Sequence, residues 1–528
     1  MNFRTLLESY ARVSDDVLIY EDPVSTEFEI TAASRLSGDR LVLFKNIKGY
    51  PGFSIVSNIL GKMERILYFT GSKDAMEFEG KLVSALSDDR PYINNLKLIE
   101  DPPFKDNITT GEEVNLYSLP IPHHYSEDGY KLKCGRYITS ALCLTRDPSN
   151  ENVLNLGITR IQVLGRNRFA FDTGSRGHTW KFLRQAAENG EELPITFIIG
   201  TSPILYILAA SFTTGEYDKA RYFCRLDLAA GMTNNLPVPA DSEIVIEARA
   251  STQETADEGP FAEYTGYMGM DTTGNVGKAT CIMRRKDAIY YDIQPSNSPE
   301  HVNIFSVPRS TTILNNIRKM IPMASEVKVE WPHYASRFLA LGYVDSKISG
   351  LAANVGMGII SSDPLWGKLV FVSEGKMPLD LEHFLAAIAE ESKNNFNRLH
   401  VFRDMFIISS DPASNSQMKS GKLLAVVEPV GVRREFSDNA LILRGSSAKC
   451  TIGYERDHNS NLSIVIPRDI SHTNIEEIGW AIATRVNPQN DLYFEGNRLV
   501  ITVSNKPPPV PTIPHYVTEG IRGRIKVS

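Results

Sequence analysis

The stretch from Leu236 to Met270, LPVPADSEIVIEARASTQETADEGPFAEYTGYMGM, constrains this chain most, because it joins an apolar strand to a Gly/Pro-shaped turn carrying two carboxylates. Residues 243–247 (EIVIE) alternate as a half-buried strand does, with Ile244 and Ile246 on one face and the charged residues on the other. Gly259-Pro260 sets a turn, so Glu258 and Glu263 flank a rigid corner. Two carboxylates held close together repel, which raises one pKa and leaves an acid beside a base. On residue type alone, a charged group on each side of a turn reads more readily as solvated surface.

Three other segments hold candidate polar groups. ITRIQV reads as a strand, Ile158, Arg160 and Gln162 sharing one face and Thr159, Ile161 and Val163 the other. In SRGHTWKFLRQAAENG, Trp180, Leu183 and Ala187 recur at helical spacing and Gly190 reads as a C-terminal stop. His178 then lies near a helix N-terminus, where the dipole disfavours imidazolium and leaves a neutral ring available to a metal. Glu216 follows the apolar block LPITFIIGTSPILYILAASF. The separations of Asn155, His178 and Glu216 match no short metal motif, and spacing alone proposes no site there.

Taken together, VPADSEIVIEA followed by DEGPFAEYTGY, with KNIKGYPGFSIVSNILGKMERI and YITSALCLTRDPSNENVLNLGITRIQV, resembles the UbiD family of reversible (de)carboxylases. The resemblance covers about the first four-fifths of the chain, several domains at the usual domain size. It implies a prenylated FMN cofactor, a manganese-like (or magnesium) ion and a potassium-like ion. Asn155 and Arg160 match the family's Asn-x4-Arg element, the Asn as a metal ligand and the Arg facing the substrate carboxylate, a role its bidentate fork suits. Glu216 resembles the acidic residue of the family's "sEy" element, so Asn155, His178 and Glu216 would form an N/O site suited to manganese or magnesium. Ile158, Thr159, Arg160 and Gly177 are implied in cofactor binding, together with Asn155, His178 and Glu216. Lys422, in QMKSGKLLAVVEP, lies where the family has a lysine that reaches the flavin, although the family's following "DAT" is replaced by Leu-Ala-Val-Val-Glu.

Composition excludes other classes. A net charge of -7 with no Lys/Arg run argues against nucleic acid or an anionic membrane as partner. The five cysteines (Cys134, Cys143, Cys224, Cys281, Cys450) show no CxxC spacing, so reduced thiols are expected, with no disulfide framework or zinc ribbon. The N-terminus carries charges through any signal-like core, and Thr201-Ser202-Pro203 breaks the longest apolar block, so neither a signal peptide nor a membrane span is read. A cytoplasmic enzyme is the expectation.

The chain reads as a multidomain α/β protein. An N-terminal α/β domain (1–107) contains an amphipathic helix marked by Ala75, Phe78, Leu82 and Leu86 and ends at the polar segment 101–107. A β-rich stretch (108–306) fits the family's split β-barrel around the flavin. A linker helix and C-terminal α/β domain (307–430) precede an extra unit (431–528). In that unit LSIVIP and NIEEIGWAIATRVNPQNDL resemble the strand-helix pair that family members have before the lysine loop, yet a more degenerate copy already stands at 368–404. Either the unit is duplicated, the favoured reading, or the earlier segment is an insertion and Lys526 is the counterpart of Lys422. KPPPVPTIP (506–514) reads as a stiff extended strap.

The resemblance implies decarboxylation of an aromatic or α,β-unsaturated acid, with Arg160 orienting the carboxylate, Glu263 returning a proton to carbon and Glu258 tuning both. Tyr264 is read equally as a substrate contact and as a packed strand aromatic. Implied partners are the carboxylic acid, a flavin prenyltransferase that supplies the cofactor, and further copies of the chain in a dimer or hexamer. Two alternatives stand beside this: a non-catalytic subunit of a multi-subunit carboxylase, which would have no chemical need for Asn155, Arg160, His178, Glu216, Glu258 and Glu263 together, and an FMN oxidoreductase, for which no G-x-G-x-x-G follows a strand.

Overall fold

The computed structural model describes residues 2–88, 90, 98–129, 135–171, 177–211, 213–269, 272–323, 326–346, 348–406, 419–505, 509–522 and 524. The chain forms two compact units, one of residues 1–263, 268–308 and 511–528, the other of residues 264–267 and 309–510. Cys134 and Lys526 lie outside the described residues.

The first unit holds two main sheets. In the smaller, strands Val17–Tyr20, Leu41–Phe44, Phe53–Ser57 and Ala288–Asp292 lie side by side in that order, the last running parallel to Phe53–Ser57. Helix Ala75–Leu86 starts at Asp74, whose side chain accepts from the Glu77 N–H, and buries Phe78, Leu82 and Ala85. The larger sheet is antiparallel, in the order Ile244–Glu258, Leu193–Ile199, Tyr137–Asp147, Asn150–Val163, Arg168–Phe171, Thr272–Arg284 and Asn107–Thr110. Ile244–Glu258 also pairs with Thr272–Arg284, so the hydrogen bonding runs in a ring through six strands and leaves Asn107–Thr110 outside it.

Two local expectations change. Ile244–Glu258 is buried on both faces at its start, and its acids are absorbed there. Glu243 is paired with Arg4 at 2.7 Å, and Glu247 accepts from the N–H groups of Met232 (2.8 Å) and Thr233 (2.6 Å), which compensates an otherwise costly burial of charge. The segment 101–107 is not simply a polar boundary either, because Phe104 is fully buried.

The second unit contains two further sheets. Strands Val327–Glu330, Leu339–Val344, Leu369–Ser373, Lys419–Val427 and Leu399–Phe406 follow in that spatial order, with antiparallel, parallel, parallel and antiparallel neighbours. Strands Ala440–Arg444, Lys449–Gly453, Leu462–Val465, Arg498–Thr502 and Leu492–Glu495 repeat that order and those directions, with Arg433–Ser437 added at one edge. Helix Leu381–Glu390, capped by Asp380, packs against strands of both sheets, and Phe384, Leu385 and Ile388 belong to the apolar cluster that joins them. Helix Ile475–Arg485 stands in the second sheet where Leu381–Glu390 stands in the first, after the third strand. Residues 511–528, which the sequence reading places in the extra unit, cluster instead with the first.

Candidate active site

The strand Asn150–Val163 projects Arg160 and Gln162 from one face toward the turn that follows Ile244–Glu258. Gln162 Oε1 accepts the Gly259 N–H at 3.2 Å. Gly259, at φ 104°, occupies backbone space that a side chain would strain, and the Gly259-Pro260 bond is cis. Arg160 donates from Nε and Nη2 to the two oxygens of Glu258 at 2.8 and 2.7 Å, and from Nη1 to Glu263 Oε1. Its guanidinium also lies 5.0 Å from the centre of the Phe261 ring. The two glutamates are therefore not a bare repelling pair, because a cation bridges them. Burial works against the charge of Arg160, but Glu263 and Glu258 hold its pKa well above the ordinary value.

Exposure separates the roles. The Glu258 side chain is 0% exposed, whereas Glu263 and Arg160 are 20% and 19% exposed. Both of the latter line a cavity of about 200 Å³, together with polar Thr139, Thr159 and His301 and with apolar side chains such as Ile158, Phe261 and Phe305. Two polar groups there were not singled out by the sequence. The Thr139 hydroxyl donates to Asp292 Oδ1 at 3.2 Å, and the same oxygen lies 3.0 Å from His124 Nε2 in a fully buried pair. His301 Nδ1 donates to the Ser296 carbonyl at 2.9 Å, which fixes the tautomer with the proton on Nδ1 in the neutral ring. Pro299 in the first turn of helix Pro299–Met320 is the sequence signal that could have placed His301 at a helix start.

The candidate metal residues are neighbours in the same unit. Asn155 Nδ2 donates to the Thr179 hydroxyl at 3.1 Å, and the next residue, Leu156, donates its N–H to Glu216 at 3.2 Å. Helix His178–Glu188 begins with His178 exposed and Gly177 at its N-cap. Its buried face is Thr179, Phe182, Leu183 and Ala186, one step round from the predicted Trp180–Leu183–Ala187 stripe, and Trp180 instead carries the Arg184 guanidinium 5.0 Å from its ring centre. Glu216 is buried and makes no ion pair among the described residues; burial pushes its pKa up to about 8. Among the described residues no group of three or more His, Cys, Asp and Glu gathers to hold a metal. A buried carboxylate that accepts the N–H of the residue after Asn155, with Asn155 bonded to the residue after His178, is nevertheless a donor set that suits a hard divalent ion.

Lys422 and Tyr264 belong to the second unit. Lys422 is fully buried and donates to the carbonyls of Pro364 and Gly367 at 2.8 Å, and burial lowers its pKa to about 8. The Tyr264 hydroxyl accepts from Trp366 Nε1 at 3.0 Å, with the Arg337 guanidinium 5.4 Å from its ring centre. Cys143, Cys224, Cys281 and Cys450 are free thiols, and no helix among the described residues is long and apolar enough to cross a membrane.

The chain as a whole is similar to proteins already known. The UbiD family model for the 3-octaprenyl-4-hydroxybenzoate carboxy-lyase Rift-related domain matches residues 97–298, and the model for the carboxy-lyase N-terminal domain matches residues 11–79. Among solved structures, the UbiD-class enzyme HmfF from Pelotomaculum thermopropionicum in complex with FMN is 26% identical over 81% of this chain and 94% of its own, with a TM-score of 0.73. An evolved dimeric form of that enzyme in complex with prFMN is 25% identical over 83% of this chain and 97% of its own, at 0.69. The 3,4-dihydroxybenzoic acid decarboxylase AroY from Klebsiella pneumoniae, 19% identical over 83% of this chain and 97% of its own at 0.71, shares the fold.

Proposed function

This chain belongs to the UbiD family of carboxy-lyases, and from that premise we propose that it reversibly decarboxylates an aromatic or α,β-unsaturated carboxylic acid with prenylated FMN as cofactor. The observation that carries the proposal is Arg160, held between Glu258 and Glu263 at the wall of a cavity of about 200 Å³. Apolar side chains such as Ile158, Phe261, Ile293 and Phe305 suit a compact planar acid there.

Guanidinium has five N–H groups, and the bonds to Glu258 and Glu263 leave Arg160 with N–H groups for the substrate carboxylate. Glu263, on the cavity wall, delivers a proton to carbon once carbon dioxide has left, and takes it in the reverse direction. Glu258, wholly buried, touches no substrate; it positions Arg160 and keeps it charged. The prenylated flavin, when bound, would supply the electron sink for the decarboxylation. Asn155, His178 and Glu216 would hold a manganese or magnesium ion, with Ile158, Thr159 and Gly177 against the cofactor; a potassium-like ion completes the expected set.

We read the ring of six antiparallel strands as the split β-barrel that carries the flavin, within residues 108–306. The second sheet of matching strand order is read as a copied module without a catalytic group. A flavin prenyltransferase would supply the cofactor, and a homo-oligomer is the expected assembly. The test is to purify the chain from cells that also make prenylated flavin, record its visible spectrum, and screen hydroxybenzoic, heteroaromatic and acrylic acids for carbon dioxide release. A flavin-loaded protein that releases carbon dioxide from none of them would refute the proposal.

A further inference from the structure

The corner that carries Glu258 and Glu263 is backed by a loop with its own buried carboxyl. Asp128 is 2% exposed and takes no part in the chemistry described above. Its N–H donates to the Tyr125 carbonyl at 3.1 Å and its Oδ2 accepts the Tyr125 N–H at 3.1 Å, so backbone and side chain close the same turn. The next residue, Gly129, donates its N–H to the Pro260 carbonyl at 2.8 Å. The Ala262 carbonyl in turn accepts from the Ser296 N–H at 3.2 Å. The Tyr125 ring packs in one apolar cluster with Ala262 and Met268. Loop 125–129 thus grips the backbone on both sides of Phe261, immediately before Glu263.

The outer side of that loop is held by the end of the chain. Ser126 donates its N–H to the Thr512 carbonyl at 2.9 Å, Thr512 donates its own N–H to Glu127 Oε2 at 2.8 Å, and the Thr512 hydroxyl bonds Glu127 Oε1. Ile513 packs against the Tyr125, Ala262 and Met268 cluster. Arg35 Nη1 donates to the Tyr125 hydroxyl at 2.9 Å.

The chain leaves the first unit at Tyr264. Within the first unit, the backbone of Glu263 is therefore anchored from its N-terminal side, through Pro260 to Ala262. We propose that Asp128 is a positioning residue for the Glu263 carboxylate, fixing the corner backbone through loop 125–129, and that residues 512–513 lock the same loop from outside. The proposal rests on the reading of Glu263 as proton donor, where a displacement of about 1 Å is enough to cost a large factor in rate. Burial pushes the Asp128 carboxyl well above its ordinary pKa, against the pull of Arg160 and the N–H groups of Tyr125 and Ala262 and with Glu127 adding to the push.

The test is amide hydrogen exchange on the full-length protein, followed by mass spectrometry of peptides spanning residues 258–263. Asp128→Ala should speed exchange there by about tenfold, the loss of one buried hydrogen-bonding group. Asp128→Asn, which keeps the acceptor and is neutral, should restore exchange to near the wild-type rate. Ile513→Ala should shift the same peptides in the direction of Asp128→Ala, while peptides from Leu193–Ile199 stay unchanged in all three. Unchanged exchange at 258–263 in Asp128→Ala, or an Asn variant as loose as the Ala variant, overturns the proposal. In the flavin-loaded protein the same order should appear in kcat with KM little altered for any acid that is turned over. If none is, the functional reading fails while the exchange result still decides the role of Asp128 in holding the corner.

Discussion

Arg160 meets Glu258 through two parallel N–H···O bonds, Nε to Oε1 at 2.8 Å and Nη2 to Oε2 at 2.7 Å, across 98 residues of chain. A lysine can place one ammonium there but cannot bridge both oxygens and reach Glu263 as well. Arg160→Lys should therefore lower turnover roughly 10²-fold. Glu263→Gln keeps shape and hydrogen bonding but cannot deliver a proton, so a fall of about 10² in kcat is expected. Steady-state carbon dioxide release and the visible spectrum check both variants, and wild-type rates in the two would end the Arg-Glu-Glu mechanism.

Glu258 is wholly buried, so its removal should be felt in stability before chemistry. Glu258→Ala leaves Arg160 in a protein interior with one carboxylate in place of two, a loss of about 3 kcal/mol for a broken buried pair. Chemical denaturation of the flavin-free protein measures this. An unchanged midpoint would mean that solvent reaches the site far more freely than its 0% exposure implies.

His178→Ala and Glu216→Ala should yield folded protein that loses bound metal and flavin together, because ligand losses weaken metal sites by about tenfold or more. Metal analysis and the flavin spectrum on the same preparations decide it. Stoichiometric metal and flavin in both variants would remove Asn155, His178 and Glu216 from the cofactor site.

Lys368, in the second unit, gives a pH signature. It is 6% exposed with Nζ 5.1 Å from the centre of the Phe338 ring, and burial lowers its pKa to about 7 despite an opposing pull from Asp491. Between about pH 7 and 10.5 the unfolded chain holds a proton that the folded chain lacks, so this group makes stability rise with pH across that window. Below it the cost of the buried charge is fully present. Lys368→Met should be more stable than wild type at pH 6.5 and lose much of that advantage at pH 9.5, the gap closing by at most about 1.4 kcal/mol per pH unit. Urea midpoints at the two pH values test the sign, and a gap that widens with pH would contradict it.

How much of this was legible in the sequence depends on whether the deciding interaction was local. Helices Ala75–Leu86, Leu381–Glu390 and Ile475–Arg485 follow from apolar spacing and a capping Asp or Asn. Arg160, Glu258 and Glu263 were read as one constellation through resemblance, and the structure brings those three side chains into contact. The pairing of Ala288–Asp292 with Phe53–Ser57 was not legible, because a parallel contact over so long a separation leaves no trace in either strand. Nor was the burial of Glu243 and Glu247, whose partners come from Arg4 and the 232–233 backbone. Asp128 escaped for the opposite reason: an Asp-Gly pair in a polar loop reads as an ordinary turn, and only the packing of Tyr125 and Ile513 around it makes it interior.

The matching strand order of the two sheets in the second unit has a consequence for how this chain reaches its native state. Neighbouring modules of like connectivity offer a nascent chain competing partners for each strand, and exchange between them is a known route to misassembly. The two are not interchangeable. The first joins its second and third strands through helix Leu351–Ser362, while the second crosses the same gap with the short segment 454–461. A strand that enters the wrong sheet would drag along a connection of the wrong length. Connectors of unequal length thus distinguish the two modules where strand order alone does not.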